Sequence, residues 1–519
     1  MRMRRDLLVT AVGAIPFIGV WLMKVLVHPR PFWAHYPDPE MFFFYDGLRL
    51  HNGWPPANID HPGTPIQLLA AAVMSLTGPH PLLVDRYRLG MYIVTGLLTI
   101  VALLLLVRSD VLRDVSPLLQ IVALWSLWLA PASLRHLAIA SPESLEIPFA
   151  ALTIVAIVAF ARDVSMPKAA LCGAAIGACI GVKFVFLAWL LAAGFAALIS
   201  GGANLRTRFR NAIVIGVSSI AGFAAATCAA AARWPDMVRW VISLSSRSRW
   251  YGTGPTGHPN PLVYIHTFAV AIGSAKTWHL WLLIAFAAML ILWLRNRRDA
   301  FLPLFCVAAV IVNYAMAAKG LLPTADRSFG DIPYRYLLPV AFVALIAFAV
   351  ACHKRAPARS LQIAITVVAA VLVFRATVGE VKATDAILAD DNRARANIDS
   401  AIAAVRHPGD VIVYGSSPEP VYTLRFPTYD RRFLMQEVVR SNGADVGPVF
   451  NEAFLRMVEQ RYPDEGHYYV NVVSLPTGHR DWDLMVLSDE TWPSSPAAQE
   501  VVVARPAGFV IARNRRSTR

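Results

Sequence analysis

Two carboxylates that lie close together in the sequence are the first residues able to do chemistry. Asp38 and Glu40 are two residues apart and precede the aromatic run from Phe42 to Tyr45. A carboxylate placed there can act as a general base toward an acceptor hydroxyl or amine, or hold a cation against a phosphate. The alternative is an ordinary hydrated loop beside an interfacial belt of aromatic residues.

Cationic side chains form the second chemical group. Arg86 and Arg88 open an apolar block at its predicted outer end, so either a lipid phosphate binds them or they snorkel to headgroups. Lys183 lies alone between two apolar blocks, where an isolated charge indicates function or a snorkelling lysine at a tight turn. Three more arginines lie near aromatic residues that suit sugar stacking and phosphate binding: Arg247, Arg249 and Arg335, the last preceding Tyr336.

A third acidic position begins a predicted helix. Ser141, Pro142 and Glu143 suit the N-cap, the first helical position and the first turn, where a carboxylate complements the helix dipole. This structural role is the default for Glu143, although it shares the predicted membrane level of the first two carboxylates. Glu146, one turn later, enters the bilayer, where a carboxylate is costly without a partner.

Long apolar blocks must position these residues. Of the 519 residues, 56% are hydrophobic and 16% are charged, and the mean hydropathy is +0.50, which is rare for a soluble protein of this size. Blocks of about 18 or more apolar residues are typical of helices that cross a membrane. The sequence predicts a polytopic α-helical membrane protein with about 11 spans, at 7–27, 88–107, 116–133, 146–161, 169–182, 184–200, 212–232, 278–294, 300–318, 336–352 and 361–376.

Basic residues cluster in alternate gaps between these spans. The positive-inside rule places such gaps in the cytoplasm, and here they are 2–5, 108–113, 162–168, 206–210, 295–298 and 354–359. The segments 28–87, 233–277 and 319–335, and the tail from about 377, are therefore predicted to face outward. This alternation of cytoplasmic and outer segments requires two spans within 169–200, because one long span there would place every later segment on the opposite side of the membrane.

Several classes of protein and site are disfavoured by the same sequence. The net charge of +14 lies in gaps between spans, which argues against nucleic acid binding. The five cysteines lie in or at the ends of apolar blocks, so we expect no disulfide framework and no Cys/His metal site. There is no Walker loop, so nucleotide-driven chemistry is unsupported and the energy for a reaction must arrive in the substrate. The first block lacks a cleavage site and is interpreted as an anchor, not a signal peptide.

Two further regions complete the predicted organisation. The stretch 66–77 is too short to span a bilayer and indicates a helix lying in the interface. After about 377 the chain becomes more polar, with strand-like runs at 410–414, 468–473, 484–487 and 501–503. We predict a transmembrane domain at 1–376 and a small α/β domain at 377–519, outside the membrane.

The order of the motifs over residues 1–352 resembles the membrane glycosyltransferases of the C type (GT-C). Within that group it is similar to bacterial relatives of protein O-mannosyltransferases and to aminoarabinose lipid A transferases. Asp38-Pro39-Glu40 resembles their acidic motif in the first outer loop, and His61-Pro62-Gly63 resembles a His-Pro-Pro motif before an interface helix. Arg88-Leu89 resembles the Arg-Leu pair that opens their second span.

Later motifs extend the resemblance. The stretch from Gly173 to Lys183 is similar to a Gly-rich span that ends in Thr-Lys, and Glu143 resembles a second acidic residue at the start of the fourth span. The motif Arg335-Tyr336-Leu337-Leu338-Pro339 matches its family counterpart outright. Two departures are Pro39, which splits the acidic pair, and Gly63, which replaces a proline.

The resemblance implies inverting transfer of a sugar from a polyprenyl-phosphate donor to a lipid, glycan or protein acceptor, outside the bacterial cytoplasmic membrane. Asp38 or Glu40 would deprotonate the acceptor. A divalent cation, Mg²⁺ or Mn²⁺, could be held by Glu143 together with Asp38 or Glu40, and whether the reaction needs one stays open. The residues implied for donor phosphate and substrate are His61, Arg86, Arg88, Lys183, Arg247, Arg249, Arg335 and Tyr336.

Two other functions fit a polytopic bundle. A transporter or lipid flippase also carries intramembrane charges, but here the acids gather in outer loops and no inverted repeat is evident. A polysaccharide polymerase shares lipid-linked substrates, but it should have a large late outer loop instead of a terminal soluble domain. The transferase is the preferred interpretation.

Overall fold

Helices make up most of the structure, which is a computed structural model. It describes residues 2–27, 63–77, 84–130, 133–137, 139–200, 204–246, 275–295, 300–321, 335–354, 358–407 and five strands beyond residue 411, with a few short stretches and single positions elsewhere. The predicted polytopic helical fold with a small terminal α/β region is confirmed.

Apolar helices follow one another along the chain. The α-helices in the described ranges are α1 (Arg2–Leu22), α2 (Thr64–Thr77), α3 (Val84–Arg108), α4 (Pro117–Trp125), α5 (Ser133–Leu137), α6 (Glu143–Arg162), α7 (Met166–Val182), α8 (Leu187–Ile199), α9 (Leu205–Ala226), α10 (Trp234–Ser246), α11 (Lys276–Arg295), α12 (Phe301–Leu321), α13 (Leu338–Lys354) and α14 (Arg359–Val405). Short 3₁₀ turns follow α4, α7 and α9, at Ser126–Leu129, Phe184–Phe186 and Cys228–Arg233.

Each predicted span coincides with a described helix. Five helices, α1, α3, α6, α9 and α14, are long and apolar enough to cross a membrane by length and composition. The helices at the other predicted spans are apolar as well, but the apolar stretches described in them are shorter. The helix α2 confirms a helix at the predicted interface stretch 66–77. The chain is therefore a multi-pass membrane protein.

The helices α7 and α9 pack in parallel and fix the chain direction around Lys183. Gly173 lies against the main chain of Ile215, and Gly177, one turn further along α7, lies against Ser219, one turn further along α9. Since α9 begins level with the start of α7, α8 must return the chain in the opposite direction. The stretch 169–200 therefore forms two helices that reverse at Lys183, as the charge pattern required.

Three of the predicted cytoplasmic gaps contact one another. Asp6 lies between Arg5 and Arg108, with oxygen-to-nitrogen distances of 3.3 and 3.7 Å. Arg162 pairs with Asp110 at 3.1 Å, so the end of α6 contacts the segment after α3. These contacts place the first three basic gaps together, as an alternating topology requires.

Buried tryptophans attach the α4 region to α1. The indole of Trp128 donates to the carbonyl of Gly13 at 2.7 Å, and Trp125 donates to Val12 at 3.1 Å. Trp128 also stacks on Phe17, with ring centroids 5.7 Å apart. These bonds satisfy polar indole groups that would otherwise be unpaired inside an apolar bundle.

A five-stranded mixed sheet forms in the terminal region. The strands are β1 (Ile412–Ser416), β2 (His467–Asn471), β3 (Leu484–Ser488), β4 (Val501–Ala504) and β5 (Phe509–Arg513), in the order β2-β1-β3-β5-β4. β1 is parallel to β2 and β3, whereas β5 is antiparallel to β3 and β4. Four strands lie at the predicted runs, and β5 was missed.

Two compact units divide the chain. One comprises 1–23, 59–68 and 92–381, and the other comprises 24–58, 69–91 and 382–519. The predicted domain boundary between 376 and 377 lies inside the continuous helix α14. That boundary stays a prediction.

Candidate functional site

A buried cluster of charged side chains lies in the first unit. It joins the start of α6, the turn between α7 and α8, and the residues before α13. Its charged members are Glu143, Glu146, Lys183 and Arg335, with exposed fractions of 3%, 0%, 1% and 6%. Charges at this depth are stable only when they are paired and hydrogen-bonded.

The acidic half of the cluster comes from the first turn of α6. Glu143 begins this helix and Glu146 lies three residues later, so both carboxylates project from one face. The expectation that Ser141 is the N-cap and Pro142 the first helical residue is wrong, because Pro142 occupies the N-cap position and no side chain caps the helix there. The Ser141 hydroxyl instead donates to Glu143 Oε2 at 2.7 Å. Ser141 therefore orients the carboxylate, and the helix dipole favours a negative charge there.

The lysine comes from the break between α7 and α8. At Lys183 the backbone becomes extended, and its N–H still donates to the carbonyl of Cys179. Its ammonium donates to Glu143 Oε1 at 2.7 Å, to Glu146 Oε1 at 3.0 Å and to the carbonyl of Arg335 at 3.2 Å. An ammonium has three donors, so these acceptors match all of them.

The ring of Tyr336 lies close to two cations. The Lys183 Nζ is 5.2 Å from the centre of its ring, and the Arg335 Cζ is 5.1 Å away. Arg335 Nη2 donates to the Tyr336 hydroxyl at 3.0 Å, and Arg335 Nε is 4.0 Å from Glu143 Oε1. Cation–π attraction and ion pairing thus hold the Arg335-Tyr336 motif against the lysine.

Two bonds hold the main chain on either side of Lys183. The N–H of Gly63 donates to the carbonyl of Val182 at 3.3 Å, so the residue that ends the predicted His-Pro-Gly motif is attached to α7. Asn313 on α12 donates its amide to the carbonyl of Val185 at 3.0 Å. The sequence analysis missed Asn313, although a single amide in an apolar span is a signal of such a role.

The structure brings together part of the predicted site. Glu143, Lys183, Arg335 and Tyr336 converge, although they are far apart in the sequence. Arg88 is buried on α3, and it belongs to the second unit. Five residues of the predicted site lie outside the described part of the chain: Asp38, Glu40, His61, Arg247 and Arg249. The side chain of Arg86 also lies outside it. The roles of these six residues stay predictions.

The predicted cation site involves Glu143 and one undescribed carboxylate. Among the described residues no group of three or more His, Cys, Asp or Glu side chains could hold a metal ion. Both oxygens of Glu143 already accept protein donors, and one of those donors is an ammonium. A divalent cation on the same carboxylate would be repelled by that ammonium. The cation site stays a prediction.

The chemical capacity of the cluster lies in fixed charge. Two cations and two carboxylates sit in a region shielded from water, where electrostatic interactions are stronger than in solution. Their positions are set by hydrogen bonds before any ligand arrives. Such an arrangement suits a site that must hold a charged group or a developing charge without reorganising.

Comparisons with known proteins support the fold. No protein-family model and no curated protein matches the sequence. The structure is similar to a crystal structure of ArnT from Cupriavidus metallidurans bound to undecaprenyl phosphate, with a TM-score of 0.55, 14% identity and 97% of each chain covered. This likeness confirms the GT-C-like membrane fold that the motifs implied.

Proposed function

We propose that the protein is an inverting glycosyltransferase that moves a sugar from a polyprenyl-phosphate donor to a lipid, glycan or protein acceptor. The observation that carries this proposal is the match of fold over 97% of the chain to a protein whose structure holds undecaprenyl phosphate. The buried cluster supports it, because two motifs of the family resemblance, at Lys183 and at Arg335, meet there. We place the reaction on the outer face of the bacterial cytoplasmic membrane.

The reaction would be a single displacement. Asp38 or Glu40 takes a proton from the acceptor, whose oxygen or nitrogen then attacks the anomeric carbon of the sugar. The bond from that carbon to the phosphate oxygen breaks, and the polyprenyl phosphate leaves with the electron pair. Attack from the opposite face inverts the anomeric centre without a covalent sugar–enzyme intermediate.

The departing phosphate needs positive charge, and electrostatic stabilisation of this kind is usually the largest catalytic term. Arg335 is the described candidate, and it is held by Glu143 and Tyr336. The further predicted phosphate and substrate ligands are His61, Arg86, Arg88, Arg247 and Arg249. A need for Mg²⁺ or Mn²⁺ would be refuted by full transfer after chelation of both ions.

The test is transfer of radiolabelled sugar from extracted polyprenyl-phosphate sugars to membrane acceptors. The intact protein should transfer label, and the Asp38→Asn/Glu40→Gln variant should not. The matched control is Asp114→Asn/Asp163→Asn, because these two carboxylates are exposed and lie at the predicted cytoplasmic end. The control should retain transfer, since exposed ion pairs contribute at most about 1 kcal/mol.

Each outcome distinguishes a class of function. Transfer by the intact protein and the control alone supports both the reaction and the acidic motif. Transfer that survives in the double amide variant would show that the base is elsewhere. No transfer by any variant, with the donor supply verified, would favour a transporter, and movement of the lipid-linked sugar across vesicles would then be measured.

A further inference from the structure

We infer that Lys183 and Glu146 form a charge-balanced positioning pair, which holds the Arg335-Tyr336 motif in place and does not itself contact the donor phosphate. This inference rests on the proposed function and changes the role expected for Lys183. The sequence suggested a lysine that neutralises phosphate. The contacts of the side chain point to a different task.

The first observation is that the ammonium is saturated. Its three donors face Glu143, Glu146 and the carbonyl of Arg335, all within 3.2 Å. The lysine side chain is 1% exposed. A phosphate oxygen could bind this ammonium only by displacing one of these acceptors, and each displaced carboxylate would be left buried without its cation.

The second observation concerns the field around the lysine. Two carboxylates lie within 3.0 Å of its ammonium, so their negative charges cancel its attraction for an approaching phosphate. The cluster contains two acidic and two basic side chains, which sum to zero when all are charged. Positive charge for a phosphate must therefore come from groups outside the Lys183–Glu146 pair.

The third observation is what the lysine does hold. It binds the main chain of Arg335 and lies over the ring of Tyr336, on which the Arg335 guanidinium also lies. The lysine thus fixes both the backbone and the ring that support the arginine. Glu146, which is fully buried, has Lys183 as its ion-pair partner among the described residues. Its place in an apolar span is explained by balancing this lysine.

A double-mutant cycle separates the two roles. Lys183→Gln leaves a net charge of −1 in the cluster, Glu146→Gln leaves +1, and the double variant leaves zero. Contacting charges are energetically coupled, so Lys183→Gln should raise the donor KM about tenfold. The double variant should return the donor KM to within about threefold of the intact protein.

A matched pair provides the control. Lys168 and Asp163 are also joined at 2.7 Å, but they are 38% and 60% exposed at the predicted cytoplasmic end. Lys168→Gln, Asp163→Asn and their combination should leave the donor KM unchanged. A loss of folded enzyme alone would lower the apparent kcat and leave the KM unchanged, so a restored KM reports on positioning.

Direct phosphate binding by Lys183 would give another pattern. The double variant would then keep the full rise in donor KM, because no second substitution restores a lost ligand, and the inference would be overturned. Unchanged KM values in both single variants would also overturn it. If the intact protein transfers no sugar, the proposed function fails separately. The cycle is then measured as thermal unfolding, where the double variant must unfold at a higher temperature than Lys183→Gln.

Discussion

Replacing Gly222 on α9 with alanine should destabilise the bundle, even though alanine is the better helix former. The new methyl group would overlap the carbonyl oxygen of Ala174 on α7, and a main-chain atom cannot rotate away as a side chain can. The helices would have to separate by about 1 Å, and such overpacking costs about 1–3 kcal/mol. Gly177→Ala should act in the same way, because its methyl group would overlap the carbonyl of Ser219.

The matched control is Gly216→Ala on the same helix. A methyl group there meets nothing within 4 Å, so only the helix propensity changes, which stabilises by about 0.5–1 kcal/mol. This gain is common to both substitutions. The difference in unfolding free energy between Gly222→Ala and Gly216→Ala therefore isolates the packing and should be about 1–3 kcal/mol.

Unfolding can be followed with a thiol-reactive dye. Cys172, Cys179, Cys306 and Cys352 are buried and Cys228 is exposed, so a Cys228→Ser background keeps the native signal low. At one fixed heating rate in detergent, Gly222→Ala should unfold a few degrees below the parent, and Gly216→Ala should not. Equal midpoints for the two variants would refute the parallel packing of α7 on α9, and with it the chain reversal before α8.

Trp128→Phe should also lower the unfolding midpoint, because the lost indole bond to a carbonyl on α1 contributes about 1 kcal/mol; an unchanged midpoint would contradict this. The cysteine of a Ser400→Cys variant should react with an impermeant reagent outside intact cells, and that of an Asp163→Cys variant should react only in inverted vesicles. Labelling of both positions from the same side would disprove the predicted topology. Asn313→Leu should reduce sugar transfer and the midpoint, since Val185 loses its donor; normal values for both would show that this bond is dispensable.

The positions of the membrane helices could be predicted because apolar blocks carry a strong signal, but their ends could not. The seventh predicted span begins at 212, whereas α9 begins at Leu205. Arginines in its first turns lower the local hydropathy, so the apolar block begins later than the helix does. Asn204 was the missed signal, since its side chain accepts the N–H of Thr207 at 2.8 Å and caps the helix.

Outside the membrane the signal becomes weaker. The helix α14 continues to Val405, well beyond the predicted span that ends at 376. A polar helix has no apolar block to mark it. The strand Phe509–Arg513 was also missed, although the run Phe509-Val510-Ile511-Ala512 after Gly508 resembles the predicted strands.

The candidate site was predicted residue by residue but not as a cluster. Glu143, Lys183 and Arg335 were each identified as charges near the outer ends of spans. Their contact depends on how helices pack, since 40 residues separate Glu143 from Lys183 and 152 separate Lys183 from Arg335. Spacing of this length carries no distance information, and only the resemblance of motif order placed the three in one site.

The glycine at position 63 gives its segment a hydrogen bond to α7 in place of the fixed φ angle that a proline would impose. Its φ is +49°, and its N–H is bonded to Val182, whereas a proline there would have φ near −65° and no N–H to donate. A proline ring would restrict the backbone of this segment whether or not α7 was folded beside it. With glycine, order at this point depends on α7 being folded beside it. The loop and the helix should therefore gain and lose protection from hydrogen exchange together.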